Sequence, residues 1–285
     1  MNANGNTAAG RRLLVDVVRG PLPSVFRVGL ARARYELRSF FRTREAVFFT
    51  LAFPVMLLIL FGAIFDNEEV QPGLKYSQVL LSGIMASGLA SVTFVNLAIS
   101  ITVERDGGEL KRLAATPMPR TAYFIGKFVQ TLTTMILEFA LILFVAIVLY
   151  GCKLPTSLGR WATFGWVTIL GAAACSLLGI AMSSVPKNAR GAAAIVNIPF
   201  VALQFLSGVF VSFADLSPTL RTFASVFPLK WVAQGYRSVF LPDSFLRIEP
   251  GGSWQHAPGA AVLTAWTLIG LVLCVRTFRW VRSDR

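Results

Sequence analysis

The stretch "FVQTLTTMILEFALILFVAIVLY", Phe128 to Tyr150, carries a single charged residue, Glu138. About 20 predominantly apolar residues suffice for a helix to cross a hydrocarbon core of roughly 30 Å. Five more segments have the same character: Ala46 to Phe65, Val79 to Val103, Trp161 to Val185, Ala192 to Phe213 and Gly259 to Phe278. The 285 residues are 55% hydrophobic and 14% charged, with a mean hydropathy of +0.64. Ordinary soluble domains carry about 25% charged residues. These features predict an all-α polytopic membrane protein with six transmembrane helices. A cytoplasmic tail (1–23) precedes one membrane domain (24–285), because the apolar runs leave no room for a large core outside the bilayer.

Lys and Arg orient the spans. Of the 27 such residues, seven lie in the alternate connections: Lys75, Lys153, Arg160, Arg221, Lys230, Arg237 and Arg247. The other 20 precede the first span, lie between Glu104 and Lys127 or between Pro186 and Arg190, or follow Leu273. Cytoplasmic loops retain such an excess, so both termini are expected in the cytoplasm of a multi-pass protein of the inner or plasma membrane. This distribution suits anionic lipid and explains the net charge of +13 without nucleic acid. Arg11 and Arg12 resemble a twin-arginine signal, but "LLVDVV" is short and interrupted by Asp16, which argues against a cleaved leader. Cys152, Cys175 and Cys274 lack metal-site or disulfide spacing and read as packing residues.

The segment 24–45 places Phe26, Leu30, Ala33, Leu37 and Phe41 at helical spacing, with Arg27, Arg34, Arg38 and Arg42 on another face. It is expected to lie in the membrane interface, or else to dock on protein. Within the spans, Pro54 and Pro199 remove backbone donors. Gly83, Ser87 and Ser91, and Gly171, Cys175 and Gly179, form small-residue seams for close helix packing. Glu138 is expensive in mid-bilayer. It serves either substrate or proton handling, or a structural hydrogen bond to a residue such as Asn96, Asn197 or Gln204. The outer region, 214–258, holds two short amphipathic segments, with Ser217 as a cap, Pro218 at a first helical position and Pro242 as a breaker. Its aromatic residues suggest a hairpin that dips partly into the outer leaflet or shields a cavity, or a lid on the helix ends. Lone His256 reads as solvated, and no metal constellation or catalytic triad is present.

Between the second and third spans stands "ERDGGELKRLAATPMPR", Glu104 to Arg120, the densest mixed-charge cluster. The chain has no G-x-x-x-x-G-K-[ST] phosphate cradle, so nucleotide-driven transport would require hydrolysis by another subunit. Gly107 and Gly108 relax the backbone, "ELKRL" suits a short helix, and Pro117 and Pro119 limit it. The region 104–117 is either a charged knob that couples to a cytoplasmic partner or a solvated turn.

This stretch resembles the E-R-E-x-G-T-L-E-x-L motif, followed by proline, of permease subunits in the ABC type-2 exporter family. Glu104, Arg105, Gly108, Leu110, Leu113 and Pro117 match; Asp106, Glu109 and Lys111 depart from the motif's Glu, Thr and second Glu. "SGVFVSFADLSP" is similar to the family's fifth-span exit. "PLKWVAQGYR" resembles its P-L-x-x-x-x-x-x-x-R segment through Pro228, Leu229 and Arg237. The resemblance implies a permease bound to two cytoplasmic ABC ATPase subunits, which carry the ATP and Mg, with no cofactor in this chain. It also implies a second copy or a related permease, with Glu104, Arg105, Asp106, Gly108, Leu110, Leu113 and Pro117 as the coupling element. The pattern is similar to drug and lipid efflux branches, including daunorubicin-resistance permeases. A proton-coupled secondary transporter and a noncatalytic membrane scaffold are the competing expectations.

Overall fold

A computed structural model describes residues 24–65 and 68–278. The tail with Arg11 and Arg12, and Arg279, Arg282 and Arg285, lie outside the described residues. Helix α1 (Val25–Arg42) starts at Ser24, whose Oγ accepts the Arg27 N–H, satisfying a donor left free at a helix start. Its buried residues are Gly29, Ala33 and Glu36, whereas Phe26, Leu30 and Phe41 are exposed. The helix therefore docks on protein through small and charged residues and turns its aromatic stripe outward. That stripe is free to meet lipid.

Six helices are long and apolar enough to cross a membrane: α2 (Arg44–Ile64), α3 (Tyr76–Asp106), α5 (Arg120–Tyr150), α6 (Leu158–Met182), α7 (Ala189–Leu206) and α10 (His256–Thr277). A short hairpin, β1 (Glu69–Gln71) with β2 (Leu74–Lys75), links α2 to α3. Helix α4 (Glu109–Ala114) follows α3, while α8 (Pro218–Ser225) and α9 (Pro228–Phe240) lie between α7 and α10. Of the apolar window of α3, 72% is buried, against 17–39% for the others, which makes α3 the central helix.

Two helix ends differ from the sequence boundaries by more than a turn. The third span begins at Arg120 rather than Phe128, because the Lys127 ammonium pairs with carboxylates inside the protein and does not end the helix. The fifth stops at Leu206 rather than Phe213: Ser207 is followed by Gly208, whose φ of 77° turns the chain. The turn brings the Val209 carbonyl against Gly83, where a Cβ would sit 2.5 Å from the oxygen. The other seam packs likewise. A Cβ at Gly171 would meet Val232 at 2.6 Å, and one at Gly179 the Phe94 carbonyl at 2.7 Å.

The two prolines behave differently. Pro54 follows a π turn, Phe48–Ala52, in which the Phe53 N–H reaches back to Phe48, so the helix absorbs the missing donor by widening one turn. A second π turn, Ser91–Asn96, lies in α3, and Asn96 Nδ2 donates to Thr50 Oγ1 at 2.8 Å, joining the two widened turns. Pro199 stays inside a continuous α7.

The outer region folds back into the protein. Ser217 Oγ caps α8 by accepting the Leu220 N–H, and Pro218 occupies its first turn. Yet all 13 residues of α9 are buried, packed among α3, α6 and α10. It is not a lid on the helix ends: the re-entrant helix expected here folds back among the spans. Helix α9 is part of the core, with Gly235 against Val167 and Trp231 against Gly259. Helix α8 and the Val226 that follows it keep large apolar side chains exposed, Phe223 among them.

Candidate functional site: the junction at the end of the second span

Three consecutive residues close α3, and each is tied to a different neighbour. Glu104 Oε1 lies 2.5 Å from Lys127 Nζ of α5 and 3.5 Å from Arg32 Nη2 of α1. Its Oε2 accepts from Tyr123 Oη at 2.8 Å. Glu36 completes the cluster, with Oε2 at 2.9 Å from Lys127 Nζ and Oε1 at 2.6 Å from Arg32 Nη2. The Arg32 guanidinium also lies over the Tyr123 ring, 5.6 Å from its centroid. Two carboxylates and two cations thus balance in a buried site, which is tolerable because each charge is paired with an opposite one.

Arg105 turns the other way. Its Nη1 donates to the Ser183 carbonyl at 2.7 Å and its Nη2 to Ser183 Oγ at 3.0 Å, at the end of α6. Asp106 Oδ2 accepts the Ala189 N–H at 2.9 Å, at the first residue of α7. A carboxylate there complements the positive end of the helix. The sequence "ERD" therefore binds α1 and α5, then α6, then α7.

Gly108, at φ 75°, then reverses the chain into α4. Leu110 is buried with Leu97, Ile101 and Tyr123, and Leu113 packs beside them. Lys111, Arg112, Ala114 and Pro117 are exposed. The coupling residues chosen from sequence thus divide. Glu104 and Leu110 are internal, Arg105, Gly108 and Leu113 are half-buried, and Asp106 and Pro117 are exposed, beside Lys111 and Arg112, which were not among those chosen.

The intramembrane polar residues do not converge. Asn96 bonds Thr50, Asn197 Nδ2 donates to its own helix at Ala193 O (2.8 Å), and Gln204 Nε2 donates to Ser87 Oγ. Glu138 is fully buried, and neither carboxylate oxygen has a hydrogen-bond partner among the described residues. The expected hydrogen bond from Asn96, Asn197 or Gln204 is absent, because each amide has another partner. Glu138 instead abuts Gly88, where a Cβ would sit 2.5 Å from Oε1.

Across the protein, Pro228 and Leu229 open α9 and are buried with Arg237. Arg237 grips Glu249 in a two-point pair, Nε to Oε2 at 3.0 Å and Nη2 to Oε1 at 2.8 Å, and its Nη1 donates to Gly208 O at 3.3 Å. This pins α9 to the turn that ends α7. The three thiols are free, and burial pushes the Cys152 thiol pKa up, which suits packing rather than nucleophilic chemistry. Among the described residues no group of His, Cys, Asp and Glu is placed to hold a metal ion.

Sequence reasoning missed Arg32, Glu36, Tyr123, Lys127, Ser183 and Glu249. One signal was available: Glu36 is the only acid in α1, four residues after Arg32, and an acid among arginines on one helix asks for a partner. The model of the ABC-2 type transporter family matches residues 30–241, from within α1 through the end of α9. The chain belongs to the ABC-2 type transporter family. It is also 26% identical over 194 residues to a protein of Porphyra purpurea that is named as a transport permease, ycf38. That alignment covers 66% of this chain and 65% of the relative. The match to the ABC-2 family takes in both the junction and α9, whereas α10 lies beyond it.

Proposed function

We propose that this ABC-2 chain is the permease subunit of an ATP-driven exporter that moves an amphipathic drug, lipid or lipid-linked molecule outward. Hydrolysis takes place in a separate cytoplasmic ABC ATPase subunit, two copies of which serve two permease chains. The observation that carries this reading is the junction: the exposed face of α4 follows directly on three residues that hold four other helices. A displacement of α4 by a partner has only Gly107 and Gly108 to cross before it reaches the residues that hold α1, α5, α6 and α7. Lys111 and Arg112 supply the basic contact surface, and orientation by positive charge puts it in the cytoplasm.

Reversal at Glu104 would break the buried cluster itself, so the informative change is Lys111→Glu with Arg112→Glu. In proteoliposomes holding the permease and its copurifying ATPase, this pair should lower substrate-stimulated hydrolysis and export at least about tenfold, the effect of losing about 1.4 kcal/mol of docking energy. Membrane insertion and thermal stability should stay unchanged. Normal export from the doubly reversed chain would sink the assignment of α4 as the docking element.

One observation favours a second reading, proton-coupled transport: the unpartnered, buried Glu138. Glu138→Gln keeps the shape of the side chain and removes its charge. Export driven by ATP should survive this change. Loss of pH-dependent transport in a correctly assembled Glu138→Gln protein would instead promote the proton-coupled reading.

A further inference from the structure

Helix α5 stands off from α6 and α10, which pack on each other, on the half of the protein that carries α4. They leave a cavity of about 810 Å³. Phe128, Leu132, Met135, Ile169 and Val275 line it, and Phe128, Ile169 and Val275 are among the most exposed apolar residues of the chain, so the cavity opens sideways toward lipid. Its lining along α5 runs from Arg120 to Met135. That is a rise of roughly 22 Å at 1.5 Å per residue. Half of a bilayer including its headgroup region is roughly 20–22 Å. The groove therefore has the length of one lipid in one leaflet.

Its two ends differ in chemistry. Toward mid-bilayer the walls are apolar, relieved only by hydroxyls such as Thr131 and Thr168. At the mouth the Phe124 and Phe278 rings meet at 5.2 Å, and the exposed Arg120 lies one turn before Phe124. Lys127 also lines the groove, its ammonium paired with Glu36 and Glu104. The mouth thus presents cationic charge at headgroup depth, and basic pockets between membrane helices select anionic headgroups.

We propose that the groove between α5, α6 and α10 is a binding site for one anionic phospholipid of the bilayer, with its acyl chains against α6 and its headgroup at Arg120. The inference rests on the membrane-spanning fold and does not depend on the direction of transport. An empty groove of this size would leave its lining atoms without contacts, so chains fill it. The cation at the mouth decides which headgroup follows them.

The test is native mass spectrometry of the purified full chain in detergent, titrated with phosphatidylglycerol or phosphatidylcholine. The wild-type chain should retain one phosphatidylglycerol in preference to phosphatidylcholine. Arg120→Gln should reduce that preference about tenfold and leave total lipid retention in place. Ala173→Phe fills the groove and should displace both lipids; Ser176→Leu, a smaller filling, serves if the first variant does not fold. Ile198→Phe, on the exposed face of α7, should behave as wild type. Equal retention by the filled variants and Ile198→Phe, or an unchanged preference in Arg120→Gln, would overturn the proposal.

Discussion

Arg237 and Glu249 illustrate what single residues contribute in this protein. Both are buried, and their two-point contact uses two guanidinium nitrogens and both carboxylate oxygens. Removing one partner leaves the other charged and stranded, at a cost of about 3–5 kcal/mol. Arg237→Met should therefore destabilise the chain strongly and free the Gly208 turn. Arg237→Met combined with Glu249→Leu should cost less than the single change, since no unpaired charge remains. Thermal unfolding in detergent of both singles and the double variant measures the difference; additive losses would mean that the pair is not coupled. Nearby, Lys230 is also buried, its Nζ donating to Gln234 Oε1 at 2.7 Å and lying 3.4 Å from the Trp231 ring centroid. Cations on α9 enter the core only where such partners receive them.

At the scale of elements, the contact between α1 and α5 is set by two glycines. A Cβ at Gly29 would sit 2.6 Å from Ile125 Cγ2, and one at Gly126 would sit 2.6 Å from Arg32 Cγ. This close approach lets Arg32 and Glu36 reach Lys127 and Glu104 across the interface. Gly29→Val should push α1 off α5, costing about 1–3 kcal/mol of overpacking. Hydrogen exchange over Val25–Arg42 should then rise by at least about fivefold, because the carboxylate pairs lengthen as the helices part. Unaltered exchange would show that α1 is held by other contacts. The paired π turns of α2 and α3 are a second case: Pro54 forces one widened turn, and the Asn96 to Thr50 hydrogen bond aligns it with the other.

For the whole molecule, the proposed exporter needs more than one chain. The central α3 is largely covered by the rest of the protein, whereas the apolar windows of α7 and α10 are only 17% and 22% buried. Exposed apolar surface of that kind is met by lipid or by another helix. Under the proposed function, native mass spectrometry of the complex should show two permease chains with two ATPase subunits. A fully active complex with one permease chain of six spans would reject this arrangement.

The sequence by itself determined the number of membrane-length helices, because apolar runs of about 20 residues have no other economical structure. It also determined the punctuation: Ser217 and Pro218 open α8, Gly108 supplies the left-handed turn before α4, and the prolines bound the connections. These signals are local, written in neighbours along the chain. The role of Lys127 was not legible, since its position between apolar residues looks like a helix boundary until Glu36 and Glu104, distant in sequence, are brought to it. The burial of α9 was equally hidden. An amphipathic pattern with aromatic residues suits an interface as well as a core, and only the glycine seam of α6 and the Glu249 carboxylate decide for the core. Tertiary structure alone fixed which charges are internal, because the desolvation of a charge depends on partners that no local pattern names.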